Sequence, residues 1–178
     1  MNFLSGLVAP LLKQKIKGQV HLPDADNHTA PFIAAGVAEN LKTAPCVLVA
    51  ANQQELEEFT ATLQFIAPEA TVLRFPAWDV QPYDRLSPDT SIQAERLKTL
   101  VKLQHPPHNT VVVTTVAAMA TKTPPLAQLH GFGGEIKTGQ RVARTQLINT
   151  LTRAGYHRVG TAMEAGEFAV RGALLDVF

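Results

Sequence analysis

The chain has 178 residues, 46% hydrophobic and 17% charged, with a formal net charge of +1. That length holds one ordinary domain or two small ones and enough apolar side chains for a core without staples. The composition excludes wholesale disorder, a polybasic arm and an acidic tail, and no run of about 18 apolar residues reads as a membrane span.

The apolar positions Phe3, Leu4, Leu7, Val8, Leu11, Leu12 and Ile16 predict a first helix over 3–17, closed by Gly18. Its lysines follow the apolar part, against the order of a secretory signal. A second helix is predicted over 30–41, with Thr29 as N-cap, Pro31 in the first turn, and Phe32, Ile33, Val37 and Leu41 inward. Cys46 to Ala51 is an apolar run of strand length, as in a sheet covered on both faces. Cys46 is the only cysteine, which excludes an internal disulfide and fits a reducing, cytoplasmic setting. Asn52 and Glu55 resemble a capping box for a third helix with Leu56, Phe59, Leu63 and Ile66 inward. Thr71 to Phe75 is a short strand, and a loop rich in proline and aromatics follows to Asp84. Thr90 and Gln93 open a helix through Leu103, with Ala94, Leu97, Leu100 and Val101 on one side. Thr110 to Thr115 is a β-branched buried strand. Strands alternating with helices predict a parallel sheet, so this part is α/β.

Lys122-Thr123-Pro124-Pro125 and Gly131-Phe132-Gly133-Gly134 punctuate the chain, and the boundary is expected near 121–134. Residues 1–129 carry ten Lys/Arg against eleven Asp/Glu, whereas residues 130–178 carry six against four. Beyond the boundary, Glu135 to Lys137 reads as a strand before a Gly139 turn. Arg144 to Ala154 reads as a helix with Leu147, Ile148 and Leu151 inward and Gly155 past its end. Tyr156–Val159 and Phe168–Phe178 read as strands, predicting one helix against a small mixed sheet.

Catalytic machinery is hard to find. A phosphate loop needs glycines for close backbone approach and a lysine for the phosphates. The stretch Leu22 to Thr29 has neither, and it places Asp24 and Asp26 where phosphate charge would sit. The six histidines have no metal-ligand spacing, and Cys46 opens an apolar strand without a flanking base. Asp79 and Asp84 suit turn formation better than an acid pair. Lys13, Lys15 and Lys17 answer a helix dipole, and the first part shows no nucleic-acid footprint. Trp78 and Tyr83 suit packing better than stacking on a single strand. Arg171 stands out as a cation in a strand beside Phe168 and Val170, which suggests an exposed docking edge.

Three motifs resemble one family. Phe75-Pro76-Ala77-Trp78 with Pro82-Tyr83-Asp84 and Ser87-Pro88 looks like the FPxWxxxPYDxxSP signature of bacterial transcription-repair coupling factors (the Mfd family). Lys137-Thr138-Gly139-Gln140, Leu147, Leu151 and Gly155-Tyr156 resemble its KxGQ…L…L…GY pattern. Gly166-Glu167-Phe168-Ala169-Val170-Arg171-Gly172-Ala173-Leu174-Leu175-Asp176-Val177-Phe178 is similar to its GEFAxRGxxLDxF element, shared with the excision-repair protein UvrB.

The resemblance implies a RecA-like partial parallel sheet with helices on both faces over 1–120, followed over 121–178 by the start of an inserted, incomplete α+β domain. It implies a non-catalytic scaffold that recruits UvrA in transcription-coupled excision repair. The longer family proteins are ATP-dependent DNA translocases that displace stalled RNA polymerase. ATP and magnesium are expected only in their motor domains, and polymerase and DNA only through domains absent here. No cofactor, metal or catalytic residue is expected in this chain, whose other partner would be the rest of the parent polypeptide. The family's arginine contact to UvrA falls on Arg171; Phe168 and Arg158 join it as strand neighbours. The stretch Pro23–Thr29 reads as a degenerate phosphate loop, and Tyr83 to Thr90 is too short for the DNA-clamping hairpin of UvrB. The alternative is a nucleotide- or DNA-binding half-domain of a UvrB-like protein. The final RGALLDVF is expected to enter a strand whose partner lies beyond Phe178.

Overall fold

The computed structural model describes residues 6, 8, 18–22, 25–41, 43–81, 83–125, 129 and 136–178. In chain order its regular elements are α1 Ala30–Asn40, β1 Cys46–Ala50, α2 Gln53–Ile66, β2 Thr71–Phe75, α3 Thr90–Lys102, β3 Thr110–Thr115, α4 Val116–Met119, α5 Arg144–Arg153, β4 His157–Val159, β5 Glu167–Arg171 and β6 Leu174–Val177. The chain divides into two compact units, residues 1–88 with 92–124, and residues 125–178 with Asp89–Ser91.

The first unit is α/β, a partial RecA-like arrangement. Its sheet has the order β1-β3-β2, and β3 pairs in parallel with both neighbours. Every residue of β3 is buried, as its β-branched run Thr110-Val111-Val112-Val113-Thr114-Thr115 predicts for a central strand. One face packs Val111 and Val113 against Ala34, Ala35 and Ala38 of α1 and Leu56, Phe59 and Leu63 of α2. The other packs Leu73, Phe75 and Val112 against Ala118 of α4, with Leu100 and Leu103 alongside.

Local chemistry explains where these helices start. The Asn52 side chain accepts from the Glu55 amide at 2.9 Å, and Glu55 reaches back to the Ala51 amide at 2.5 Å. This is the expected capping box, shifted by one residue on its return arm. Thr29 precedes α1 but makes no side-chain cap bond. Its amide donates to the Asp26 carboxylate at 2.9 Å and its hydroxyl to the Asp26 carbonyl at 3.0 Å, closing a turn instead. The start of α3 is held by Asp89, whose carboxylate accepts from the Ser91 amide at 2.7 Å, while Gln93 donates to the Pro88 carbonyl.

Several expectations are corrected. In α1 the buried residues are Pro31, Ala34, Ala35, Gly36 and Ala38, with Phe32, Ile33 and Val37 only half-buried. Small side chains face the sheet because they let the helix backbone approach it closely. Among the described residues β1 is an edge strand, and Val47 and Val49 on its second face are 52% and 42% exposed, not buried as a strand covered on both faces would be. In α3 the buried positions are Arg96 and Thr99, not the apolar stripe. Ile136 and Lys137 are not strand; Lys137 to Gln140 form a turn closed by a 2.9 Å bond from the Gln140 amide to the Lys137 carbonyl, with Gly139 at φ +83°. Tyr83 is wholly exposed and covers no core. Most of the helix expected over 3–17, and the Gly131–Gly134 linker, lie outside the described residues.

The second unit has the sheet order β4-β5-β6, with β4 parallel and β6 antiparallel to the central β5. Its helix α5 buries Leu151 and ends in a Schellman motif. The Tyr156 amide bonds the Leu151 carbonyl at 2.9 Å, the Gly155 amide bonds that of Thr152 at 3.1 Å, and Gly155 sits at φ +88°. The single strand expected over 168–178 is two strands. Gly172 at φ +57° turns the chain so that Arg171 pairs with Leu174, the pattern of a two-residue type II′ hairpin. Among the described residues the strand partner of Leu174–Val177 therefore precedes it, in Phe168–Arg171 of β5.

Candidate partner-docking site

The β5–β6 hairpin carries the docking candidates. Its register pairs Phe168 with Val177, Ala169 with Asp176, Val170 with Leu175 and Arg171 with Leu174. Side chains alternate across a strand, so Ala169, Arg171, Leu174 and Asp176 share one face, and Phe168, Val170, Leu175 and Val177 the other. The Arg171 side chain is 58% exposed, and its Nη2 donates to the Asp176 carboxylate at 2.6 Å. These residues are diagonal neighbours, a separation that long side chains span. Leu174, directly across from Arg171, is 66% exposed. The face therefore offers water a cation, its partner carboxylate and an apolar side chain.

The turn is fastened from α5. Arg144, its first residue, donates through Nη1 to the Gly172 carbonyl. On the loop before β5, the Glu167 carboxylate accepts from the Met163 and Glu164 amides at 2.9 and 3.1 Å. Both ends of β5 are thus anchored by charge-assisted hydrogen bonds to backbone.

The three expected contact residues do not converge. Phe168 is 1% exposed, a core side chain, so it cannot form an aromatic docking edge. Arg158 pairs with Phe168 across β4 and β5, which makes them the expected strand neighbours. That register puts Arg158 on the Phe168 face, opposite Arg171. Of the three, Arg171 alone stands on the exposed Leu174 face. Sequence reasoning points to neither Asp176 nor the turn-fastening role of Arg144. The signal for Asp176 was available: a Gly-X turn after Arg171 brings the residue five positions on to its diagonal.

The stretch before α1 opens on a cavity of about 520 Å³ lined by Asn27, His28, Pro31, Phe32, Glu55, Glu58, Phe59 and Thr62. Two glutamates line it, and bonds from Thr29 hold the Asp26 carboxyl below its ordinary value of 3.8. This electrostatics is the reverse of a phosphate cradle. Among the described residues no group of three His, Cys, Asp or Glu could hold a metal. Burial raises the pKa of the Cys46 thiol, away from a reactive thiolate.

The Pro-rich aromatic loop is organised around Arg96. This guanidinium, 3% exposed, lies 4.0 Å from the Phe75 ring centroid and 4.2 Å from that of Trp78. It donates to the Pro76 carbonyl at 2.5 Å and the Thr121 hydroxyl at 2.9 Å. Desolvation lowers its pKa, yet arginine starts so high that it stays charged. Trp78 therefore packs, as its sequence context predicts. Grooves of about 260 and 320 Å³ flank it, the first lined by Arg96, Leu97, Leu100 and Lys122, the second by Ala77, Val80 and Ala117.

Residues 135–178 match the family described as the UvrB interaction domain. The chain is 36% identical over 143 residues, 76% of its length, to the transcription-repair-coupling factor of Myxococcus xanthus. It is 35% identical over 153 residues, 82% of its length, to that of Escherichia coli K12. With that of Mycobacterium bovis it is 30% identical over 184 aligned residues, 97% of its length. The chain spans only 12–14% of the length of these relatives. No helix among the described residues is long and apolar enough to cross a membrane. Matches over most of the chain, with the UvrB interaction domain over the hairpin unit, place it in a family: it belongs to the transcription-repair-coupling factors.

Proposed function

We propose that this chain is a non-catalytic docking module that recruits UvrA in transcription-coupled excision repair, with Arg171 as its central contact. The observation that carries this reading is the exposed Arg171–Asp176 pair beside Leu174, at the tip of a hairpin inside the matched UvrB interaction domain. An arginine next to an exposed apolar side chain has the make-up of an interface anchor. Its guanidinium keeps donors free for a carboxylate on UvrA, a charge-assisted contact. The first unit serves as scaffold; the acidic surroundings of Asp26, Glu55 and Glu58 argue against its binding ATP. In this reading the ATP-driven translocation and polymerase displacement expected of the family belong to other parts of the longer relatives.

Calorimetric titration of UvrA with this chain tests the proposal. Arg171→Ala is expected to weaken binding by about 2 kcal/mol or more, as for a hot spot, with the melting temperature unchanged. An unchanged affinity removes Arg171 from the interface.

A further inference from the structure

We infer that Asp176 is a positioning residue for docking: it aims the Arg171 guanidinium rather than contacting the partner itself. The inference rests on the UvrA reading and deepens it by assigning a second residue to that site.

The two side chains meet at 2.6 Å on one face of the hairpin, and both are partly exposed, 58% for Arg171 and 44% for Asp176. An exposed pair of this kind adds little to stability, because water solvates both charges in the unfolded chain as well. Its consequence is geometric. A free arginine side chain samples many rotamers, and binding must freeze them. Here one nitrogen, Nη2, is already fixed by Asp176. The planar guanidinium then presents its remaining N–H groups in a set direction.

The hairpin provides a stable base for that aim. The tight turn with Gly172 in the left-handed region fixes the register, which sets the diagonal between positions 171 and 176. Arg144 fastens the Gly172 carbonyl, so the turn cannot rock freely against α5. The docking face is accordingly dipolar, not simply cationic. It suits a partner surface that offers a carboxylate to Arg171, with a hydrogen-bond donor or an apolar group beside it towards Asp176 and Leu174. A second carboxylate there would meet repulsion from Asp176, which gives the site selectivity against uniformly acidic surfaces.

A double-mutant cycle in UvrA binding, with an NMR measurement on the free chain, tests this. Asp176→Asn is expected to weaken UvrA binding about fivefold in the wild-type background and to have no further effect once Arg171→Ala is present. In the free chain, the Arg171 Nη resonances are expected to be resolved by restricted rotation and to average in Asp176→Asn. Equal losses in both backgrounds would make Asp176 an independent contact and overturn the inference, as would tighter binding by Asp176→Asn. Averaged Nη signals in the wild-type chain would overturn it without reference to UvrA. By contrast, Arg171→Ala leaving affinity unchanged strikes the docking proposal, while the NMR result still decides whether Asp176 orients the arginine.

Discussion

The guanidinium carbon of Arg96 lies over the ring of Trp78, 4.2 Å from its centroid, and over that of Phe75, 4.0 Å from its centroid. A charged group so enclosed loses hydration, and the structure compensates with π-faces and with oxygens from Pro76 and Thr121. The arginine is thus the support on which the Phe75–Trp78 loop is laid.

Removing that support should be costly. Arg96→Ala is expected to lose about 2–4 kcal/mol of unfolding free energy, from the emptied space and the orphaned carbonyl. Arg96→Lys should lose nearly as much, because an ammonium has neither the planar face that lies over both rings nor the forked donors. Urea denaturation, with Trp78 fluorescence as the probe, measures both. A lysine variant as stable as wild type would show that charge alone holds the loop.

Phe168 and Arg171 lie three residues apart and should respond oppositely. Phe168→Ala is expected to destabilise the chain by about 3–5 kcal/mol, as for a buried phenylalanine, and so lower its melting temperature. Arg171→Ala should leave that temperature within a degree or two while reducing UvrA affinity. Calorimetric melting of the two variants separates a core residue from a surface one.

Gly172 has open space around the position of an added Cβ, but its φ of +57° is one that side chains avoid. Gly172→Val is therefore expected to cost about 1–2 kcal/mol through backbone strain alone. Gly172→Asn should cost less, since asparagine tolerates the left-handed region. Thermal unfolding decides the order, and equal losses for the two would refute the conformational account.

Asp26 links pH to the turn before α1. The Thr29 amide, which donates to the carboxylate, is the main reason the carboxyl titrates below its ordinary value, with the adjacent Thr29 hydroxyl second. A lowered carboxyl pKa stabilises the fold at pH values above the unfolded value, and that contribution disappears as pH falls through the folded value. Thr29→Val removes the hydroxyl beside the carboxylate but keeps the amide donor, so the Asp26 titration is expected to move part of the way back up. Carboxyl NMR titration reads the shift directly; an unmoved midpoint would assign the whole effect to the backbone.

The parallel sheet was legible because β1 and β3 are apolar runs of strand length between helical stripes, and the Asn52–Glu55 cap because its spacing is local. The burial of Arg96 was not legible. A charged residue on a helix reads as solvated unless one knows that Phe75 and Trp78 approach from another loop. The alanine face of α1 is hard to see in the sequence because side-chain size points large residues inward, whereas close approach to a sheet selects small ones. In the docking hairpin, Arg171 is visible in the sequence as an unusual charge in a strand. Its pairing with Asp176 depends on a turn at Gly172 inside a stretch whose pattern is that of continuous strand. The odd spacing between Phe168 and Arg171 already implied opposite faces, a count the sequence permits.

On β2, Arg74 pairs with Glu57 of α2 and with Glu95 of α3, the latter at 3.3 Å. The two glutamates come from helices on opposite faces of the sheet, so one cation at its rim serves both layers. Such an arrangement is redundant: replacing either glutamate leaves Arg74 with a partner, and only the loss of both strands the charge. Single substitutions at positions 57 and 95 should therefore look nearly silent, while the double substitution costs more than their sum. This rim tolerates first errors and fails on the second.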